Sequence, residues 1–170
     1  MKPQKIPTKP GTAYGGGFYA GRFFIGNQPY IQIVAPRAEG QIESIAWNKS
    51  LKNVPGATNY CDGLANTKAM AKAGSALAKQ ILKLRIGGFD DWHLPSQLQL
   101  LKIYHEIATA QAFAPGAKEA FDPTGYWSST QRAEGANVAW VQFFGYGGQD
   151  LGRKDDEWCA RAVRRAPIYQ

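Results

Sequence analysis

The sequence predicts an α+β domain in which two helices flank a twisted antiparallel sheet, within a loop-rich chain. Two consecutive segments with helical periodicity occupy the middle of the chain, and short β-like segments lie on both sides of them. The chain is also rich in glycine and tryptophan, with 19 Gly and five Trp among 170 residues. Consecutive helices between short strands are typical of an antiparallel α+β domain, whereas a long helical bundle tolerates little glycine.

The composition excludes a disordered chain and a membrane-spanning one. Hydrophobic residues make up 44% of the chain and charged residues 19%, so the chain has enough apolar surface for a core. No apolar run approaches the roughly 18–20 residues of a membrane-spanning helix, so we expect no membrane insertion. Twenty Lys and Arg against 13 Asp and Glu give a net charge of +7, which suits either a phosphate-rich partner or an ordinary solvated surface.

The N-terminal region predicts an extended arm that is followed by strands. The first ten residues hold three Pro and three Lys, and they lack the apolar core of a secretory signal. We expect residues 1–14 to form an arm, either frayed or docked onto a neighbouring subunit, and residues 15–170 to form one domain. Residues 18–25 and 30–34 are predicted as two strands. The glycine run 15–17 lacks a preceding strand and a following helix, which excludes a phosphate-binding loop.

The first predicted helix spans residues 62–85 and ends at a pair of glycines. On a helical projection four lysines fall on one stripe, opposite an arc of apolar side chains, as in an amphipathic surface helix. Gly74 lies within the apolar arc, and a close approach between helix and sheet would explain a glycine there. The lysine stripe is either a solvated face or a site for anionic lipopolysaccharide or nucleic acid. The four lysines are Lys68, Lys72, Lys79 and Lys83.

The second predicted helix begins after Ser96, because Ser96 and Gln99 have the spacing of a capping box. The helical periodicity ends near Thr109, and from residue 121 onward the pattern is typical of β-structure. Three short strands are predicted there, with a glycine-rich turn region at 145–152. The predicted strands are residues 126–129, 138–144 and 158–164.

The residues that usually carry catalysis or bind metals are scattered. His93 and His105 lie around one helix start, and Cys61 and Cys159 are 98 positions apart, so the spacing of a metal site is missing. No Gly-x-Ser-x-Gly nucleophile elbow occurs, and we interpret the acidic clusters as ordinary charges on surface loops. We therefore predict a protein that is not an enzyme and that uses no metal or cofactor. From the residues alone, the two cysteines either form a disulfide or remain buried free thiols.

Five short stretches occur in the order of the motifs of a known family. They are Asn59-Tyr60-Cys61, Asp91-Trp92-His93-Leu94-Pro95-Ser96, Tyr126-Trp127-Ser128-Ser129-Thr130, Ala139-Trp140-Val141-Gln142-Phe143 and Arg161-Ala162-Val163-Arg164. With these motifs the chain resembles the C-type-lectin-like family typified by the C-terminal domain of bacterial collagen-like surface proteins, most strongly over residues 45–166. The N-terminal GGGFYAGRFF block is similar to phage proteins of this group.

The resemblance implies a C-type-lectin-like fold and a disulfide between Cys61, at the first helix, and Cys159, in the last strand. One departure from the family pattern bears on this pairing. The terminal motif is usually Arg-Cys-Val-Arg, whereas here Cys159 precedes Arg161. The motifs with which animal lectins bind calcium and sugar are absent, so the resemblance does not imply calcium-dependent sugar binding.

Related lectin-like domains in phages form receptor-binding tips. The resemblance therefore implies a non-enzymatic virion protein, in the tail tip or a fibre, that binds a polysaccharide or protein of the bacterial host surface. Its ligand face would come from late-strand and loop residues, where glycines alternate with adaptable contact residues. An ordinary solvated hairpin would have the same composition. The candidate residues are Asn137, Tyr146, Gln149, Asp150, Arg153, Lys154 and Asp155.

Two other functions are compatible with the sequence. One is a structural decoration or fibre-docking protein whose arm, residues 1–14, binds a neighbouring protein in the virion. The weaker one is an enzyme acting on surface glycans, which would need paired carboxylates. For a virion protein we expect other tail proteins as partners and a homo-oligomer such as a trimer. We expect assembly in the host cytosol and release by lysis, and nucleic acid is not an expected partner.

Overall fold

Two β-sheets and four helices make up residues 5–107 and 109–169, the part of the chain that the computed structural model describes. The smaller sheet has the strand order β1-β2-β3-β9, and the larger sheet has the order β4-β8-β5-β6-β7. The α+β prediction is confirmed, with two sheets in place of one. The strands are β1 (Ala13–Tyr14), β2 (Gly17–Ile25), β3 (Gln28–Val34), β4 (Gln41–Ala46), β5 (Gly125–Gln131), β6 (Val138–Phe143), β7 (Gln149–Arg153), β8 (Glu157–Arg161) and β9 (Val163–Pro167).

The last predicted strand, residues 158–164, is in fact two strands in different sheets. Strand β8 pairs with β4 and β5 of the larger sheet, and β9 pairs with β3 of the smaller one. Ala162 separates them: its N–H donates to Gly40 O at 2.8 Å, and its carbonyl accepts from Ala35 N at 3.0 Å. The chain therefore crosses from one sheet to the other at this residue.

The predicted single helix over residues 62–85 is wrong, because the segment forms two helices, α2 and α3. Gly74 lies between them with a φ of +93°, a left-handed conformation that commonly ends a helix. Ser75 then begins the next helix, since its Oγ accepts a hydrogen bond from Ala78 N. A Cβ on Gly74 would meet no atom within 4 Å, so the turn, not a close approach to the sheet, requires glycine here. The helices are α1 (Arg37–Gly40), α2 (Gly63–Lys72), α3 (Ala76–Leu82) and α4 (Gln97–Ile107).

The predicted start of α4 is confirmed. Gln99 N donates to Ser96 Oγ at 3.3 Å, and Ser96 N donates to Gln99 Oε1 at 2.9 Å, which together form the capping box. The helix ends at Ile107, two residues before the predicted end. Within the described ranges, the helices are too short or too polar to cross a bilayer.

Two apolar clusters form the interior. The larger cluster joins both sheets to α2 and α3, and its largest members are the fully buried Trp47, Trp92 and Trp127. The indoles of Trp47 and Trp127 donate to backbone carbonyls at 2.8 Å, so burial leaves these polar atoms satisfied. The smaller cluster lies beneath α4 and includes Leu100 and Ile103.

The described part of the predicted arm, residues 5–14, lies against its own domain. Ile6 packs on the larger apolar cluster, and Gly11 N donates to Tyr19 O at 2.8 Å. The segment then continues into β1, which pairs with β2. The first four residues of the predicted arm lie outside the described residues.

Candidate functional site

Most of the predicted ligand residues lie along β7, an edge strand of the larger sheet, and in the loops that flank it, whereas Asn137 directly precedes β6. Gln149 and Arg153 mark the two ends of this strand, about 13 Å apart at roughly 3.3 Å per residue. The structure therefore divides the predicted surface into two groups. The first group is Tyr146, Gln149 and Asp150, and the second is Asn137, Arg153 and Asp155.

Tyr146 is the prominent aromatic of the first group, with 70% of its surface exposed. Its ring stacks on that of Phe143, with centroids 5.3 Å apart and planes at 16°. A Cβ on Gly148 would lie 2.4 Å from the Tyr146 ring, so the flat position of the ring depends on this glycine. An exposed, supported ring of this kind is typical of residues that anchor a binding partner.

Gln149 and Arg153 are engaged within the domain. Gln97 Nε2 donates to Gln149 Oε1 at 3.1 Å, and Gln149 Nε2 donates to Gln97 O at 3.0 Å, so this pair joins β7 to the start of α4. Arg153 donates two hydrogen bonds of 3.0 Å to the carboxylate of Asp155, in an exposed ion pair. These contacts leave Tyr146 as the side chain of the predicted surface that is best placed for a ligand.

Lys154 was wrongly assigned to the ligand surface, because its side chain is fully buried. Its Nζ donates to Lys52 O at 2.9 Å and to Gln131 Oε1, and it lies 4.6 Å from the centroid of the Trp47 ring. Lys154 and Asp155 lie in the turn that follows β7, where Lys154 is buried while Arg153 and Asp155 on either side of it are exposed. Burial lowers the pKa of Lys154 to about 8.

The predicted disulfide between Cys61 and Cys159 is not formed, and both thiols are free. Cys159 is buried in β8, and its Sγ donates to Glu43 O at 3.0 Å. Cys61 precedes α2, whose first residues are anchored to the smaller sheet through the ion pair of Asp62 with Arg165. The family's usual cysteine position corresponds to Ala162, at the crossover between the two sheets, whereas Cys159 lies within β8 of the larger sheet. Burial raises the pKa of the Cys159 thiol to about 11.

A cluster of charged and polar side chains, which the sequence analysis missed, covers one face of the larger sheet near β4 and β8. Its innermost pair is Arg161 with Glu119, at 3.1 Å and almost fully buried. Arg37 bonds to Asp122, and Gln41 joins the two pairs by accepting from Arg161 and donating to Asp122, both at 3.0 Å. We call this set the charged cluster. Its members are Arg37, Gln41, Glu43, Glu119, Asp122, Tyr126, Cys159 and Arg161.

The charges of the cluster are set by burial and mutual pairing. Burial opposes ionisation of Asp122, but its hydrogen bond and attraction to Arg37 outweigh burial and hold its pKa below the usual value. Burial lowers the pKa of Arg161 to about 10 against the attraction of Glu119. Burial also raises the pKa of Tyr126, whose hydroxyl accepts from Asp122 N and donates to Gln41 Oε1. At neutral pH the cluster is a set of internal ion pairs.

Three members of the charged cluster have the atom types of metal ligands. The ligand atoms of Glu43, Asp122 and Cys159 lie within 4.8 Å of one another. Arg37, however, already bonds to both carboxylates, and the raised pKa of Cys159 keeps its thiol protonated at neutral pH. Metal ions bind the deprotonated thiolate. These three side chains are therefore better suited to pairing with Arg37 than to holding a metal ion.

A cavity of about 460 Å³ opens beside the charged cluster, between α4 and the segment that follows it. Its wall is aromatic, and within it Phe121 and Phe144 stack with centroids 4.0 Å apart and planes at 8°. We call it the aromatic cavity. No pattern in the sequence predicts it, because its residues come from four separate segments. The aromatic and charged side chains that line it are Arg37, Tyr104, Phe113, Phe121, Asp122 and Phe144.

The predicted lysine stripe is part of a larger positive surface on α2, α3 and the adjoining loop. Residues 44–89 hold seven Lys and Arg and one acidic residue, Asp62, which bonds to Arg165. All seven cations are exposed, and none is in an ion pair with any residue that the structure describes. We call this surface the basic face. Its members are Lys49, Lys52, Lys68, Lys72, Lys79, Lys83 and Arg85.

The loop of the basic face is held close to the helices. Asn48 Nδ2 donates to Ala73 O at 3.3 Å, and Ser75 Oγ donates to Trp47 O at 2.5 Å. These contacts place Lys49 beside the junction of α2 and α3. The break at Gly74 therefore preserves a common surface for the lysines, although they no longer share one helix.

Comparison with known proteins identifies the same family as the sequence motifs. The family model described as the Lcl C-terminal domain matches residues 39–164, from the end of α1 into β9. The match includes the basic face, all of β7 and most of the charged cluster, and it begins just after Arg37. A search of curated proteins found no match.

Proposed function

The chain belongs to the Lcl C-terminal domain family, and from this premise we propose that it is a non-enzymatic module that binds the anionic surface of bacterial cells. The family match indicates a lectin-like surface-recognition domain. The observation that carries the proposal is the basic face, with seven exposed cations against one acid that is already paired. Binding of a polyanion to such a face is favoured because it releases condensed counterions.

Part of the remaining positive charge is neutralised within the fold. The three arginines at the end of the chain all form ion pairs, so they add little to the external field. Of the twelve exposed cations that have no ion pair with a described residue, seven lie on the basic face, and this grouping favours an extended anionic partner. The pairs are Arg161 with Glu119, Arg164 with Asp91, and Arg165 with Asp62.

The non-enzymatic part of the proposal rests on the state of the carboxylates. Hydrolysis of a glycan would need one carboxyl group held as an acid and a second as a base or nucleophile. In the charged cluster, Asp122 and Glu119 are bound to arginines, and the pKa of Asp122 is lowered, which makes it a poor acid. Turnover of a cell-wall polysaccharide by the purified protein would contradict this part.

We further propose that the module acts in a bacteriophage virion, in the tail tip or a fibre. The similarity of the N-terminal GGGFYAGRFF block to phage proteins supports this setting, and the exposed Tyr146 suits contact with a receptor. The partners would then be a host-surface polysaccharide or protein and other tail proteins. Antibodies to the protein should label intact particles, and particles that carry no label would contradict the virion setting alone.

The alternative role, docking onto a neighbouring virion protein through residues 1–14, needs that segment to leave its own domain. Deleting residues 1–10 distinguishes the two roles. Loss of particle assembly supports docking, whereas assembled particles that fail to adsorb support receptor binding.

The basic face is tested by replacing Lys68, Lys72, Lys79 and Lys83 together by Gln. We expect binding to bacterial cells and to immobilised lipopolysaccharide to weaken at least tenfold, because four phosphate contacts are lost. The dependence of log K on log salt concentration should also become less steep. Both quantities are measured by surface plasmon resonance at several salt concentrations.

A matched variant removes four exposed cations from elsewhere on the surface. It has the same net charge as the basic-face variant, and it should retain at least half of the wild-type affinity. Equal losses in the two variants would contradict a localised site, and absence of binding by the wild-type protein would contradict the proposal itself. The control positions are Lys5, Lys9, Lys118 and Arg132.

A further inference from the structure

The aromatic cavity is a second recognition site, separate from the basic face. We propose that it binds the ring of an uncharged sugar. Its volume of about 460 Å³ lies within the roughly 300–1,000 Å³ that small-molecule sites occupy. The cavity combines an aromatic wall with two charged groups at one end, the arrangement expected for a ligand with an apolar face and a polar edge.

The apolar part of the site is a set of rings that support one another. Phe121 stacks on Phe144, Tyr104 meets Phe144 edge-on with centroids 5.7 Å apart, and Phe113 lies 6.0 Å from Phe121. These contacts fix the rings before any ligand arrives, so little side-chain entropy is lost on binding. The C–H face of a pyranose is the part of a sugar that such a wall would contact.

The polar end of the cavity is built from Arg37 and Asp122. One carboxylate oxygen of Asp122, Oδ2, accepts from Arg37, Gln41 and Tyr126, while Oδ1 has no hydrogen bond to the residues described. The hydroxyl of Tyr104 is likewise without a hydrogen bond in the described part of the chain. A free acceptor on Asp122 and the hydroxyl of Tyr104, both on residues that line the cavity, match the hydroxyl groups of a sugar, each of which donates and accepts.

The charge of the polar end excludes an acidic ligand. Its one cation, Arg37, already bonds to Asp122, Glu43 and Ala120 O, so it has little remaining attraction for an anion. A ligand carboxylate or phosphate would instead meet the carboxylate of Asp122, which lines the cavity, and be repelled. The aromatic cavity therefore selects against the anionic polymers that the basic face attracts, and the two sites recognise different chemistry.

The site is tested by titrating the ¹⁵N-labelled protein with methyl glycosides of glucose, galactose and mannose. At least one should shift the amide signals of Gly116 and Gly145, which line the cavity, in a saturable way. The matched anionic probe is methyl β-D-glucuronide, which has the ring of the glucoside and one carboxylate. It should bind at least tenfold more weakly than the best neutral glycoside.

Two variants change the cavity in opposite ways. Tyr104→Ala removes part of the wall and Ala117→Phe fills the space with a ring, and each should weaken glycoside binding at least tenfold. Phe24→Ala, which removes an exposed aromatic ring on β2 that does not line the cavity, is the control and should leave glycoside binding unchanged. Native amide spectra of each variant establish that it is folded.

Several results would overturn the assignment. These are no shift with any neutral glycoside, equal or tighter binding of the glucuronide, or unchanged binding in a folded Ala117→Phe variant. Binding of a hydrophobic dye in the cavity without any glycoside binding would also overturn it. None of these outcomes bears on the basic face, which is tested with anionic polymers.

Discussion

Lys154 shows how burial alone changes the chemistry of a residue that sequence reasoning placed on the surface. The composition of its neighbourhood, with Tyr, Arg and Asp among glycines, is that of a contact loop. In the turn that follows β7, however, Lys154 is directed inward, where it lies against Trp47. The side chain ties the 48–57 loop to β7, because its Nζ donates to Lys52 O and to Gln131 Oε1. Its contribution is therefore to stability.

The lowered pKa of Lys154 predicts a pH-dependent stability. Burial lowers this pKa to about 8, below the roughly 10.4 of an unfolded chain. Between these values the folded protein loses a proton that the unfolded chain keeps, so stability rises with pH across this window. We therefore compare the free energy of unfolding of the wild type with that of Lys154→Met. The difference, wild type minus variant, should increase from pH 8 to about pH 10.5.

The measurement is urea unfolding of both proteins at several pH values. The subtraction matters because the pKa of Cys159 is raised to about 11 by burial, which lowers stability as pH rises toward that value in both proteins. Lys49→Met, at an exposed lysine, is the control and should give a pH-independent difference. A difference that stays constant for Lys154→Met would refute the assigned pKa shift.

Among the secondary-structure elements, the break at Gly74 between α2 and α3 is the feature that a helical projection cannot detect. Projection at 100° per residue assumes a continuous helix. The projection therefore predicted correctly that the four lysines share one surface, but it predicted wrongly that they lie on one helix. The pair Gly74-Ser75 did carry a local signal, because Gly commonly ends a helix and Ser commonly begins one. By contrast, the capping box at Ser96 was predicted correctly, because its two partners are three residues apart.

Substitution of Gly74 tests its role in the turn. Gly74→Ala should reduce the free energy of unfolding by about 1 kcal/mol or more, because an L side chain disfavours a positive φ. Gly74→Asn should lose less, since Asn tolerates the left-handed region better than Ala. Both are measured by chemical unfolding. Equal stability of Gly74→Ala and wild type would show that the turn does not require glycine, because a Cβ there meets no neighbouring atom.

At the scale of the whole molecule, the sequence allowed prediction of local features and failed for those that depend on contacts distant in sequence. The family, the α+β class, the start of α4 and the lysine stripe were all read from neighbouring residues. The charged cluster and the aromatic cavity were not, because their members come from positions 37 to 161. The assignment of β8 and β9 to different sheets has the same cause.

Arg161 connects the parts of the chain that sequence reasoning could not bring together. Nearly inaccessible to solvent, it donates to Ala35 O at 2.8 Å, Gln41 Oε1 at 3.0 Å and Glu119 Oε2 at 3.1 Å. Arg161→Met should therefore lower the free energy of unfolding by about 3–5 kcal/mol, since it leaves the Glu119 carboxylate buried without its partner.

The matched control is Arg153→Met, which removes the exposed ion pair with Asp155 and should cost less than about 1 kcal/mol. The double variant Arg161→Met with Glu119→Gln should recover part of the loss, because the unpaired charge is then gone. Urea unfolding of the three variants and the wild type measures these differences. If Arg161→Met costs no more than Arg153→Met, the charged cluster does not hold the two sheets and the 113–123 segment together. The wall of the aromatic cavity would then need another support.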